Sequence, residues 1–221
     1  AQVIPDHSVG DYRELATLRE VTAGASVVTF DHEHVPTEHL HALAATGLAV
    51  RPGPDALVHA QDKAVMRARL AELGIPCPRN AVVTSVAEVQ AFGFPCVLKT
   101  TRGGYDGKGV WFCADEADCA EGFAVAAASG VGLLVEEPVD FRRELSALVA
   151  RSPFGQGAAW PIVETVQRDG ICVTVLAPAP GLPEDVAAEA EQLGLRLADE
   201  LGVVGVLAVE LFETTDGALL V

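Results

Sequence analysis

The residues with the plainest chemical purpose lie between Lys99 and Val110, in the stretch KTTRGGYDGKGV. Four glycines within seven residues (Gly103, Gly104, Gly107 and Gly109) mark backbone that turns tightly or lies close against a ligand. Lys99, Arg102 and Lys108 bring three positive charges to the same place. Glycine backbone with N–H groups to donate, flanked by Lys, is what triphosphate binding asks for. A hairpin turn needs only about two to five loop residues, and this segment is longer. Two familiar phosphate motifs are excluded. A Walker A loop ends in Gly-Lys-Ser/Thr and opens a helix, and a dinucleotide fingerprint also needs a helix after its glycines. Here Lys108 and Gly109 run into Val110, Trp111 and Phe112, which favour a strand. The loop joins strand to strand.

Three further places carry chemistry. Lys99 ends a buried-type apolar strand, a costly position for a cation unless an anion is near or the chain reaches water. Glu210 interrupts the apolar run VVGVLAVELF, either as an edge-strand carboxylate facing solvent or as a Mg²⁺ ligand. Glu33 lies in FDHEHVP, with His32, His34, His39 and His41 around it. No spacing there matches two His on one helix face with a Glu partner, so surface histidines around a strand–helix turn are preferred over zinc.

The elements that position these groups follow from periodicity and breakers. A helix is expected over Asp11 to Glu20 and a strand over Ser26 to Phe30. Thr37 to Thr46 reads as a helix stopped by Gly47, and Leu48 to Arg51 as a second strand. Strand–helix–strand order implies a parallel α/β layer. A helix from Asp62 to Leu73, with Val65, Met66, Leu70 and Leu73 on one side, ends at Gly74. From Ile75 to Leu134 strands alternate with one helix, Glu116 to Ser129. Leu133 to Val135 is a strand, and Glu144 to Arg151 and Ala158 to Val163 are antiparallel strands joined by a turn at Ser152 to Gly155. Glu184 to Leu201 is a helix whose buried stripe is Val186, Ala190, Leu193, Leu197 and Leu201. Val203 to Phe212 is a strand that turns back at Thr214 to Gly217.

The chain of 221 residues is half hydrophobic and globular in composition. A net charge of −16 argues against nucleic acid or an anionic membrane as partner. Any nucleotide site must therefore be a local island of Lys and Arg. Five spread cysteines without a CxxC pair read as reduced thiols in a cytoplasm. No apolar run reaches transmembrane length, and no signal peptide is recognised.

A strand, a glycine-rich loop and a strand, with Lys just before the loop, resemble the ATP-grasp ligases. The string Arg102-Gly103-Gly104-Tyr105-Asp106-Gly107-Lys108-Gly109 resembles the 5-(carboxyamino)imidazole ribonucleotide synthase family within them. The fold class implied is mixed α/β and α+β: an ATP-grasp fold preceded by the remainder of a Rossmann-like parallel α/β domain. The expected division is a partial N-terminal domain over 1–54, connecting helices over 55–76, a small lobe with the glycine loop over 77–135, and a large lobe over 136–221, the chain being incomplete at both ends.

The resemblance implies ATP and Mg²⁺ as cofactors. Its small-molecule substrates are 5-aminoimidazole ribonucleotide and bicarbonate, with carboxyphosphate as the activated carboxyl donor, and the family tends to form homodimers; another ATP-grasp carboxylate–amine ligase, or a catalytically inactive nucleotide-binding fragment, is the alternative. It implies ATP contacts at Lys99, at Gly104, Tyr105, Asp106, Gly107, Lys108, Gly109 and Val110, and at His59 and Gln167, where relatives carry Arg and His. Val110 stands where relatives carry Gln. It makes Glu136, Glu137, Pro138 and Val139 the hinge strand beside adenine, although by residue type alone these are equally a solvated acidic loop. Glu144 would accept from the ribose. Glu210 would hold the metal, with a second ligand expected beyond Val221. Glu33, Tyr105 and Asp106 would face the ribonucleotide, and Tyr105, Asp106 and Lys108 would be catalytic. Lys63, Arg142, Arg143 and Arg151 read as solvated surface charges that could add positive field.

Overall fold

A computed structural model describes residues 7–104 and 107–221. The chain begins with α1 (Leu15–Val21), β1 (Val27–Val28), α2 (Thr37–Ala44) and β2 (Ala49–Val50). The two strands pair in parallel, Val27 with Ala49 and Val28 with Val50, as strand–helix–strand order implies. Both strands and both helices are shorter than their residue patterns suggest. With one partner each, the strands have only two residues in ladder register. Val35, Leu40, Leu43, Val50 and Leu57 form the core of this layer.

Two helices follow, α3 (Pro54–Gln61) and α4 (Lys63–Leu73), divided by Asp62. The Asp62 carboxylate accepts from the N–H groups of Ala64 and Val65, and Gly74 closes α4 at φ +62°. Leu70 is buried and Met66 and Leu73 pack beside it, at the spacing of one helix face. Val65 falls outside that stripe and is exposed.

A four-stranded antiparallel sheet comes next, built from β3 (Asn80–Val83), β4 (Cys96–Thr100), β5 (Val110–Cys113) and β6 (Leu133–Glu136) in the order β3-β6-β4-β5. Two helices cover it, where one was expected. The additional one, α5 (Val86–Phe92), starts at a capping box in which Ser85 Oγ accepts from Glu88 N–H and Glu88 accepts from Ser85 N–H. The Ser-x-x-Glu signal is present in the sequence, but the apolar run after it is only two turns long. The other, α6 (Ala120–Ser129), begins four residues later than Glu116, because a 3₁₀ turn occupies 117–119. Strand β6 runs one residue further than the apolar pattern and ends on Glu136.

The largest sheet contains β7 (Phe141–Arg151), β8 (Gly157–Ala159), β9 (Val163–Arg168), β10 (Ile171–Leu176), β11 (Gly205–Thr214) and β12 (Leu219–Leu220), in the order β10-β9-β7-β11-β12 with β8 on β7. The strand expected over Ala158 to Val163 is split in two, since Pro161 has no N–H for the ladder. Asp169 and Gly170, at φ +53° and +76°, turn β9 into β10. Helix α7 (Glu184–Glu200) packs on the face carrying Leu145, Ala147, Val149, Val209 and Leu211. A methyl at Gly194 would lie 3.0 Å from Val149, so the small residue sets the approach of helix to sheet. Of the stripe expected on α7, Ala190 and Leu197 are buried, and Val186 and Leu193 pack at its edge. Strand alternation sends Glu144, Ser146 and Glu210 to the opposite face. Among the described residues no helix is long and apolar enough to cross a membrane.

Candidate functional site

Lys99 is the fourth residue of β4, where its backbone pairs with Val110 of β5 and Leu134 of β6. Its ammonium donates to Oε2 of Glu136. The other oxygen of the same carboxylate accepts from Arg67 Nε at 2.6 Å. The Glu136 side chain is only 3% exposed, against 21% for Lys99 and 14% for Arg67. Burial alone pushes the Glu136 carboxyl up; Lys99 and then Arg67 outweigh it and hold the group below the usual glutamate range. The anion that a strand-end lysine requires is therefore supplied by the chain itself.

Lys63 stands one helical turn before Arg67, and both side chains enter the same cleft. The residue pattern favours a solvated Lys63. The structure half-buries it, and burial, followed by the nearby Lys99 charge, depresses its pKa. Arg67 has no role in any sequence-based expectation. Its signal was the pair of cations at i and i+4, which share a helix face.

The cleft has a volume of about 620 Å³. Lys63, Arg67, Lys99 and His59 line it together with Glu210 on β11, and Glu33 borders it as well. His59 Nδ1 is buried and has no hydrogen-bond partner among the described residues; burial and then Arg69 lower its pKa. A smaller cavity of about 180 Å³ shares Glu33 and is bordered by Thr37, Gln61, Arg102 and Gly103. Gln61 holds this wall in shape. Its amide donates to the carbonyls of Glu33 (2.8 Å) and Val35 (2.9 Å) and accepts from Thr37 Oγ1 (2.6 Å).

The glycine loop leaves β4 beside α4. Arg102 Nε donates to Asp62 Oδ2 at 2.8 Å, and Lys63 N–H donates to the Thr101 carbonyl at 2.8 Å. The loop returns at Gly109, whose carbonyl accepts from Thr100 N–H at 2.9 Å. A methyl at Gly109 would lie 2.5 Å from Thr100 Oγ1, and one at Gly104 would lie 2.9 Å from the Lys108 carbonyl. Glycine is thus required by close approach at both positions. Gly107 approaches the β9–β10 turn, where a methyl would meet the Asp169 carbonyl at 3.1 Å. Lys108 and Val110 are exposed along the loop and the start of β5. Tyr105 and Asp106 lie outside the described residues.

On the large sheet Glu144 and Glu210 share a face. Burial and then the Glu210 charge push the Glu144 carboxyl up, partly offset by a hydrogen bond from Gln167. Two carboxylates thus share one sheet face, and Glu210 also lines the cleft that holds the three cations. The segment Glu136, Glu137, Pro138, Val139 joins the two larger sheets. Glu137 is pinned to Arg79: its N–H donates to the Arg79 carbonyl (3.0 Å) and its carboxylate accepts from Arg79 N–H (2.8 Å).

Other sequence candidates serve structure. Arg143 donates to Glu213 at 2.5 Å, Arg142 approaches the same carboxylate at 3.4 Å, and Arg151 pairs with Asp199 at 2.6 Å. His39 meets the Arg13 carbonyl, His41 faces Asp55, and His32 stacks on His34. Among the described residues no group of three or more His, Cys, Asp and Glu side chains is placed to hold a metal.

An antiparallel sheet with a glycine loop, set over a second sheet across a cation-lined cleft, is the architecture of a nucleotide-dependent ligase. The ATP-grasp domain model matches residues 68–221, and the chain belongs to that family. The ribonucleotide synthetase preATP-grasp domain model matches residues 1–61. The chain is similar to the N5-carboxyaminoimidazole ribonucleotide synthase of Mycobacterium tuberculosis strain H37Rv, with 62% identity over 225 residues, covering 100% of this chain and 52% of that protein. It thus spans about half the length of the curated relatives it matches. The structure resembles an ADP complex of an N5-carboxyaminoimidazole ribonucleotide synthetase, with a TM-score of 0.88, 30% identity and coverage of 99% of this chain and 58% of the other. It also resembles the Aspergillus clavatus N5-carboxyaminoimidazole synthase in complex with ADP and 5-aminoimidazole ribonucleotide (TM-score 0.86, 26% identity, coverage 99% and 57%).

Proposed function

We propose that this chain serves the ATP-dependent carboxylation of 5-aminoimidazole ribonucleotide by bicarbonate, giving the N5-carboxylated ribonucleotide, ADP and phosphate in purine biosynthesis. The observation that carries the reading is the cleft in which Lys63, Lys99 and Arg67 share walls with Glu210 and end at Glu33. Its support from outside the chain is the likeness to synthases of that name, one with ADP and aminoimidazole ribonucleotide bound.

In this reading Lys99, Lys63 and the backbone N–H groups of the glycine loop bind and orient the ATP phosphates. Phosphoryl transfer is mainly positioning and charge stabilisation, which fixed cations and N–H dipoles provide. Glu210, with Glu144 on the same sheet face, would hold Mg²⁺, which neutralises phosphate oxygens when bound. The Val139 backbone and the Glu144 and Gln167 side chains would receive the nucleoside. Bicarbonate attacks the γ-phosphoryl group to give carboxyphosphate, which hydrolyses readily, so the loop must exclude water from it. Glu33 together with Tyr105 and Asp106 would orient the ribonucleotide amine toward that carboxyl, and Lys108 would complete the loop's charge.

Residues 77–135 are read as a small lobe that moves as a lid over 136–221, with 1–54 supplying the Glu33 wall and 55–76 the connection. A homodimer in the cytoplasm is the setting that fits the free cysteines and the family resemblance.

The test is ADP release with Mg²⁺, ATP and bicarbonate, with and without the ribonucleotide. Ribonucleotide-dependent release is expected, and release indifferent to the ribonucleotide would sink the substrate assignment. Asp106→Ala should reduce carboxylation far more than nucleotide affinity; equal losses would remove Asp106 from the carboxylation step.

A further inference from the structure

We infer that Arg67 is a positioning residue for nucleotide binding: it carries part of the Glu136 charge and so allows Lys99 to leave that carboxylate for a phosphate. The inference rests on the nucleotide reading of the cleft. Its basis is the geometry of a single buried carboxylate with two cationic partners. Oε1 of Glu136 takes Arg67 Nε at 2.6 Å, and Oε2 takes the Lys99 ammonium.

A carboxylate with a 3% exposed side chain cannot fall back on water when a partner departs. If Lys99 were its sole partner, each phosphate that drew Lys99 away would strand a buried anion, a large penalty set against binding. With Arg67 in place, Glu136 keeps a charged hydrogen bond throughout. Arginine suits this task because it stays protonated in any environment and holds its donors in a fixed fork. Arg67 is itself anchored by a second bond, from Nη1 to the Val221 carbonyl at 2.5 Å, so it remains when Lys99 moves. The surroundings lean the same way. Lys63 brings a third cation into the cleft, half-buried beside Lys99, with Glu33 and Glu136 as the carboxylates that act on it. In a chain of net charge −16, three cations in one cleft are a local concentration of positive side chains.

The experiment is calorimetric titration of the protein with the magnesium complex of a non-hydrolysable ATP analogue. Wild type is compared with Arg67→Met, Glu136→Gln, the double variant and Arg67→Lys, each melted to register its stability separately. Arg67→Met should weaken the analogue by about tenfold or more, because Glu136 then competes for Lys99 with nothing to replace it. Arg67→Lys should retain most of the affinity. In the double variant Glu136 no longer needs a charged partner, so its affinity should fall within about threefold of Glu136→Gln alone.

That rescue separates positioning from mere support of the fold, which would lower the melting temperature and leave the affinity of folded protein alone. Unchanged affinity in folded Arg67→Met would overturn the inference. So would a double variant well below Glu136→Gln, which would mean that Arg67 touches the nucleotide itself; this comparison decides the matter even if Arg67→Met does not fold. Failure of the wild type to bind the analogue would instead remove the nucleotide reading on which the inference stands.

Discussion

Lys99 satisfies two demands at once. A lysine at the end of an apolar strand needs an anion, and Glu136 is that anion, yet the same ammonium lines the cleft. Lys99→Ala should therefore lower nucleotide affinity by about tenfold or more, the scale of a charged hydrogen bond; an unchanged dissociation constant would take Lys99 out of the site. The Glu136 carboxyl also sets a dependence on pH. Its folded pKa lies below the ordinary 4.5, so the unfolded chain takes up its proton first as pH falls. The stability this group contributes is complete above about pH 4.5 and is lost as pH drops through its folded value. Urea denaturation from pH 7 down to 3 should show that loss in wild type, and Glu136→Gln should flatten the slope. Glu213 is a structural counterpart. Its side chain is 2% exposed between Arg142 and Arg143, and its hydrogen bond is the chief cause that raises the Arg143 pKa. Glu213→Ala leaves Arg143 buried with Glu164 as its remaining carboxylate partner and should cost up to about 3–5 kcal/mol of stability. Denaturant midpoints would measure it; a loss below about 1 kcal/mol would place this network among weak surface pairs.

Among the elements, the glycine loop and α4 are joined at one point. Asp62 caps the helix, receives Arg102 from the loop entrance, and is followed by Lys63, whose N–H holds the Thr101 carbonyl. The return of the loop depends on Gly109, at φ +72° with Thr100 Oγ1 where a side chain would begin. Gly109→Ala combines backbone strain with a 2.5 Å clash. It should weaken analogue binding severalfold while leaving the circular dichroism spectrum in place, because the surrounding strands do not depend on the loop conformation. Wild-type affinity in that variant would mean that the loop can bind without its observed return. The capping box of α5 provides a contrast. Ser85→Ala removes its hydroxyl acceptor and should cost about 1 kcal/mol in a urea melt without changing nucleotide affinity.

At the scale of the molecule, the cleft draws its walls from the N-terminal layer, from α3 and α4, from β4 and from β11. Because these units share the one cleft, a ligand seated there should stabilise them together. At about one hundred times its dissociation constant, a nucleotide analogue should add about 2.7 kcal/mol to the folding free energy. The melting temperature should rise accordingly, and the rise should shrink in Lys99→Ala at the same ligand concentration. A shift unaffected by that substitution would show that the analogue binds elsewhere.

The amino-acid order by itself determined the local devices: a strand–loop–strand unit spelled by glycines and cations, a parallel strand–helix–strand start, a helix ending at Gly74, and the long helix before β11. These depend on backbone freedom, period and capping, which neighbouring residues carry among themselves. The same order held the signals for α5 and for the Asp169-Gly170 turn, although short apolar runs did not make them stand out. Which charges meet was decided only by the tertiary structure. Arg67 reaches Glu136 across 69 positions and Lys99 reaches it across 37. Lys63 enters the cleft, and Arg143 is drawn into the buried partnership of Glu213. Desolvation sets the strength of such contacts, and it is a property of the packed sheets rather than of any stretch of chain.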